Sequence, residues 1–154
     1  MHALENQALA LMNRQVEHLE HYPEVEARLR SHIDETHGQI ARVEEILESL
    51  DEKNSAVKDA GMTMSGNLAA LAHTAAGDEI VKNSFANYAF ENYEAASYTG
   101  LITMAEEGGF AQAVTGLKQS LDEEQAMAQF IIDGLPMVTR QFLQRRAAGE
   151  TASH

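Results

Sequence analysis

The chain has 154 residues, 44% of them hydrophobic, which is enough for one domain with a real core and gives no cause to expect two. Its 24 acidic residues against 11 basic ones leave a formal charge of −13, so a nucleic-acid groove or an anionic membrane surface is a poor partner. Cysteine is absent, which excludes disulfides, thiolate chemistry, zinc ribbons and iron–sulfur clusters and leaves His and carboxylates as the strong metal ligands.

No run of roughly 18 apolar residues occurs and no basic-then-apolar segment opens the chain, so the expectation is a soluble, unexported, cytoplasmic protein without membrane contact. Over residues 3–20, Leu4, Ala8, Leu11, Met12, Val16 and Leu19 recur at helical spacing, and His21-Tyr22-Pro23 ends this first helix. Pro23 suits the first turn of a second helix over 23–50, which stops in the polar stretch Asp51-Glu52-Lys53-Asn54-Ser55. Residues 57–74 hold Met and Leu clusters broken by Gly61 and Gly66 and read as short helical pieces in a long crossover, with a break at Ala76-Gly77-Asp78. A third helix spans 78–107, closed by Gly108-Gly109 where a left-handed cap is wanted. The fourth runs from about 110 to 135, where Pro136 is expected to kink or end it; 137–146 is a further helical piece. No strand-like alternation appears. The fold class is therefore all-α, a ferritin-like four-helix bundle with a long crossover and an extra C-terminal helical segment. The domain covers 1–146, with 147–154 a frayed tail.

The inner faces carry the functional signal. On the second helix Leu29, Ile33, Thr36, Ile40, Val43 and Leu47 form one stripe, with His32 and Gln39 on its shoulder and Glu35 at the edge. Asp34 and His37 point away from it. Extending the first helix's stripe back past Ala8 reaches Glu5. On the third, Val81, Phe85, Tyr88, Ala95 and Ile102 are expected inward, with Glu91, Glu94 and Tyr98 as a polar edge. On the fourth, Glu124 sits among Val114, Leu117, Leu121, Ala128, Ile132 and Leu135, whereas Asp122 and Glu123 face out.

Each helix thus brings at least one Glu to its core face. A buried carboxylate costs several kcal/mol unless it is paired, protonated or bound to a cation. Glu5, Glu35, Glu91, Glu94 and Glu124 cannot share one interior as bare charges, and His32 is the only inward base on these stripes. A cationic metal is the natural counter-charge. An oxygen-rich set with one imidazole suits iron or manganese better than a closed zinc site, and two bridged ions per chain match the number of carboxylates.

The segments His32-Ile-Asp-Glu35-Thr-His-Gly-Gln39, Glu91-Asn-Tyr93-Glu94-Ala-Ala-Ser-Tyr98 and Leu121-Asp-Glu-Glu124 resemble the YciE/YciF-like ferritin-like proteins. That family's motifs read roughly H-L-E-E-T-x-x-Q, E-H-Y-E-I-A-x-Y and L-x-E-E. A weaker match to its first-helix A-E-x-Q falls at Leu4-Glu5-Asn6-Gln7. The resemblance implies a di-metal carboxylate bundle, often a homodimer, associated with stress responses. Asn92 stands where the family has His, and Ala128 where an Asp is expected.

Taken together, Glu5, His32, Glu35, Glu91, Glu94 and Glu124 are the candidate metal ligands. Gln39 and Tyr98 are expected to hydrogen-bond those ligands from behind. One reading is redox chemistry at a di-iron or di-manganese centre that meets peroxide or oxygen. The alternative is a non-catalytic stress or interaction protein whose metal is structural, or whose 137–146 face recruits a partner.

Overall fold

The computed structural model describes residues 1–50 and 79–152. Four helices make up this part: α1 (His2–Val16), α2 (Pro23–Leu50), α3 (Glu79–Glu107) and α4 (Ala111–Ala147). Among the described residues no strand occurs. The expected crossover pieces at 57–74 and the break at 76–78 lie outside the described residues.

The contacts between helices set the topology. α1 and α2 form one antiparallel hairpin, and α3 and α4 the other. Across the hairpins, Gln15 and Asn87 exchange amide hydrogen bonds of 3.1 and 2.8 Å, and the Tyr98 hydroxyl donates to Glu5 at 2.6 Å. Because 15 meets 87 and 5 meets 98, α1 runs antiparallel to α3. Arg42 donates to the Ser120 hydroxyl at 3.0 Å and the Gln141 amide to the His21 carbonyl, so α2 runs antiparallel to α4. It follows that α2 and α3 point the same way, and the end of α2 and the start of α3 lie at opposite ends of the bundle. That is ferritin-like connectivity, as opposed to a simple up-down-up-down bundle.

Leu4, Met12, Leu29, Ile102, Leu117 and Met127 fill the space between the helices, each buried side chain worth roughly 2 kcal/mol. α1 is shorter than its periodicity predicts: it stops at Val16, and Leu19 and Tyr22 are buried in the turn below it. The Tyr22 carbonyl then accepts the Glu26 N–H as α2 opens at Pro23. The cap of α3 is as expected. Gly109 has φ +75°, the Phe110 N–H reaches the Ala105 carbonyl at 2.8 Å and the Gly109 N–H the Glu106 carbonyl at 3.2 Å, a Schellman turn.

Three expectations are corrected. α3 is rotated from its predicted phase: Phe85 and Tyr88 are exposed, while Ile80, Phe90, Glu91, Glu94, Ser97 and Tyr98 are buried. Bulky residues surround this helix on all sides, so apolar spacing alone did not fix its inner face. On α4 Ile132 is likewise exposed and its neighbour Ile131 buried. Secondly, Pro136 does not end α4, which continues to Ala147. The break costs roughly 3 kcal/mol, and burial of Val138 and Phe142 beyond it, at roughly 2 kcal/mol each, outweighs that. The separate C-terminal piece is therefore the end of α4. Thirdly, residues 148–152 do not trail away: Gly149 at φ +74° reverses the chain, and Tyr22 donates to the Ala152 carbonyl at 2.7 Å.

Candidate metal centre

The middle of α2 presents its polar residues to the bundle axis. His32, Thr36 and Gln39 are all at most 1% exposed, so the residues placed on the shoulder of the stripe stand at its centre. Thr36 returns its hydroxyl to the His32 carbonyl at 2.9 Å, which satisfies it locally. Glu5 from α1, Glu91 and Glu94 from α3 and Glu124 from α4 are buried around them.

His32 divides the site. Its Nε2 lies 3.0 Å from Glu91 Oε2 and 3.7 Å from Glu124 Oε2. His32, Glu91 and Glu124 each offer a ligand atom, and these atoms lie within 4.8 Å of one another, a group that can hold a metal ion. On the other edge of the ring, Nδ1 is 2.7 Å from Glu35 Oε2, the same oxygen that accepts from Arg28 Nη1 at 3.0 Å. Glu35 is partly exposed and sits outside the central group, gripping the imidazole from behind. Glu35 thus stands behind the ring where a place among the ligands was expected, and Gln39 lies deeper than its shoulder position suggests, its amide donating to Glu124 Oε1. Tyr98 holds Glu5 as expected.

The sequence reading missed two cations at the margin. Arg28 compensates Glu35, and Arg42 compensates Glu123. Arg28, His32 and Glu35 follow i, i+4, i+7 spacing, a signal of one helix face that apolar periodicity did not weigh. Among the described residues neither arginine makes an ion pair with Glu5, Glu91, Glu94 or Glu124. Asp34, His37 and Asn92 are exposed, and the Asn92 amide is turned back to the Tyr88 carbonyl at 2.6 Å.

The electrostatics follow from this dry crowding. Burial pushes the Glu5 carboxyl up to about 7, with the Glu91 charge adding and the Tyr98 hydrogen bond and His32 opposing. Burial, then the Glu5 and Glu91 charges, raises Glu94 well above the carboxylate range. Burial and the Glu94 charge raise Glu124 likewise. For His32 burial alone lowers the pKa, but hydrogen bonds and charge from Glu91 and Glu35 outweigh it and leave it raised. Glu5 Oε2, Glu94 Oε1, Glu124 Oε2 and Gln39 Oε1 are buried without a hydrogen-bond partner.

A family model described as "Domain of unknown function (DUF892)" matches residues 1–144. The chain belongs to the DUF892 family. Protein YciF of Escherichia coli (strain K12) is 35% identical over 103 residues, and the match spans 62% of this chain and only 60% of that protein's length. A crystal structure of a protein from Xanthomonas campestris pv. campestris superposes with a TM-score of 0.78 at 30% identity, covering 95% of this chain and 90% of that one. The all-α bundle and the YciF-like resemblance read from the motifs are both supported by these matches.

Proposed function

We propose that this DUF892 protein holds iron or manganese between its four helices and brings it to peroxide or oxygen. The observation that carries the reading is the set of inward oxygens on Glu5, Gln39, Glu94 and Glu124, buried with no hydrogen-bond partner. Such atoms cost roughly 1–3 kcal/mol each when left unmade, and more when charged. With Glu91 and the His32 ring beside them, the buried donors are four carboxyls and one imidazole nitrogen, a set that suits a hard divalent cation.

His32 Nε2, Glu91 and Glu124 would hold an ion, and Glu5 and Glu94, whose charges press on one another beside them, would add carboxylates for it or for a second ion. When bound, such ions supply Lewis acidity and an electron to peroxide or oxygen. Glu35 and Arg28 fix the imidazole so that Nε2 faces the carboxyls. Tyr98 and Gln39 orient Glu5 and Glu124, and Leu29 and Met127 keep water from the group. With no Cys in this chain, reducing equivalents would come from elsewhere, or peroxide would be dismutated without a donor.

A second reading is a structural metal in a non-catalytic protein. Ala128 favours it, since this buried position offers no carboxylate where one is expected. A stress-related role and a homodimer belong to the proposal as the resemblance implies them, and a cytoplasmic location as the sequence pattern leads one to expect; no described helix is long and apolar enough to cross a membrane. Elemental analysis of protein purified without chelator should find iron or manganese in stoichiometric amount, and chelation should abolish peroxide consumption. Metal retained with peroxide turnover at buffer background supports the structural reading, and failure to bind either metal sinks both.

A further inference from the structure

One helical turn from the metal group lies a cavity of about 430 Å³ between α2, α3 and α4. Its lining includes Leu29, Asn87 and Met127, which stand three or four residues from His32, Glu91 and Glu124 on the same three helices. Three independent helices thus give one register. Leu29 and Met127 are 2% exposed, and Ile131 and Phe130 continue an apolar wall. At the solvent side the lining changes to Glu24 and Asp133, both exposed carboxylates. The volume falls in the range that small-molecule sites occupy.

Gly134 is the second sign that this space is kept open. It stands inside α4, where glycine costs roughly 1 kcal/mol relative to alanine. A Cβ built there meets nothing within 4 Å, so no packing contact demands its absence. Gly134 itself lines the cavity, and open space stands where its Cβ would be.

We propose that this cavity binds a small amphiphile with an apolar chain and a cationic head, an alkylamine in chemical class. The chain lies against Leu29, Phe130 and Met127, and the ammonium stays at the mouth between Glu24 and Asp133. Those two carboxylates, in a chain of charge −13, select against a fatty carboxylate of the same length. This orientation sets the tail, not the head, one turn from the buried Glu and His side chains. The inference goes beyond the metal proposal and does not require it.

The test is calorimetric titration of the full chain, chelator-treated, with n-decylamine, n-decanol and n-decanoate, each below its micelle concentration. Decylamine should saturate a single site and bind about tenfold tighter than decanoate. Gly134→Leu fills the space and should weaken decylamine about tenfold or more, with wild-type circular dichroism and metal uptake. Glu24→Gln with Asp133→Asn should erase the preference for amine over carboxylate and leave decanol binding unchanged; this pair decides the matter if Gly134→Leu does not fold. Equal binding of amine and carboxylate, or wild-type binding by a folded Gly134→Leu, overturns the proposal. So does absence of binding with sedimentation at twice the chain mass, which assigns the mouth to a second copy. Metal uptake is measured separately on the same variants, so either proposal can fail while the other stands.

Discussion

Glu123 and Glu124 are neighbours in the chain and live in opposite electrostatic surroundings. Glu123 lies at the margin, partly hydrated, with the Arg42 guanidinium on its carboxylate. Glu124 turns inward, is fully buried, and meets Gln39 on one oxygen and no hydrogen-bond partner on the other. Glu35 and Glu91 repeat the contrast across the His32 ring, one tied to Arg28 and the other in the dry interior. Arg28 and Arg42 therefore neutralise Glu35 and Glu123 at the rim, whereas the central carboxylates have His32 alone of these bases beside them and are otherwise left to protons or a foreign cation. Counting acidic residues would not separate these two populations; their phase on the helix does.

Removing central carboxylates should break this contrast most sharply. Glu91→Ala combined with Glu124→Ala should lower metal affinity by more than roughly 100-fold, while the helical signal of the metal-free protein persists, because buried charges no longer repel one another. Glu123→Gln should keep its metal and cost no more than about 1 kcal/mol in a denaturant melt. Equal metal loss in both would show that the two populations are not distinct.

Glu35→Ala probes the boundary between them. It leaves the Nε2 side untouched and frees the ring, so affinity should fall by about 10–100-fold in an equilibrium competition with a chelating dye. A loss as large as that of the double variant would make Glu35 a direct ligand.

The pH response of the metal-free protein should separate the populations next. The Glu5 carboxyl is raised from 4.5 to about 7, so the folded state holds its proton more tightly than the unfolded chain does. That contribution is fully present below pH 4.5 and is lost as pH rises through about 7. Thermal melts of metal-free wild type should therefore show stability falling over this window relative to Glu5→Gln, and a parallel pair of curves would contradict the assignment. The smallest effect is at Gly134→Ala, which should raise stability by about 0.5–1 kcal/mol without touching metal uptake.

Much of this was legible before any coordinates. Glu5 was reached by stepping one helical turn back from Ala8, and the α3 cap by its two glycines, because both depend on local chain geometry. Polar residues spaced along one edge of α3 point to Tyr98 as a hydrogen-bond donor to an inward carboxylate, and only the packing of α1 on α3 makes Glu5 that partner. The rotation of that helix was not legible, since Phe85, Tyr88, Phe90 and Tyr93 give it large side chains in every direction and only packing selects among them. The continuity of α4 through Pro136 was hidden for a related reason: a local penalty is overruled by burial of Val138 and Phe142, which is a tertiary quantity. Arg28 and Arg42 escape apolar periodicity because long cationic side chains reach in from outside the stripe.

The most direct test of the central claim is a metal titration of the chelator-treated protein near pH 6, repeated in buffers of different ionisation heat. If the buried carboxyls trade protons for a cation, manganese or ferrous ion should bind stoichiometrically and release protons, with Glu124→Gln releasing fewer. Binding without proton release, or no binding at all, would contradict the account.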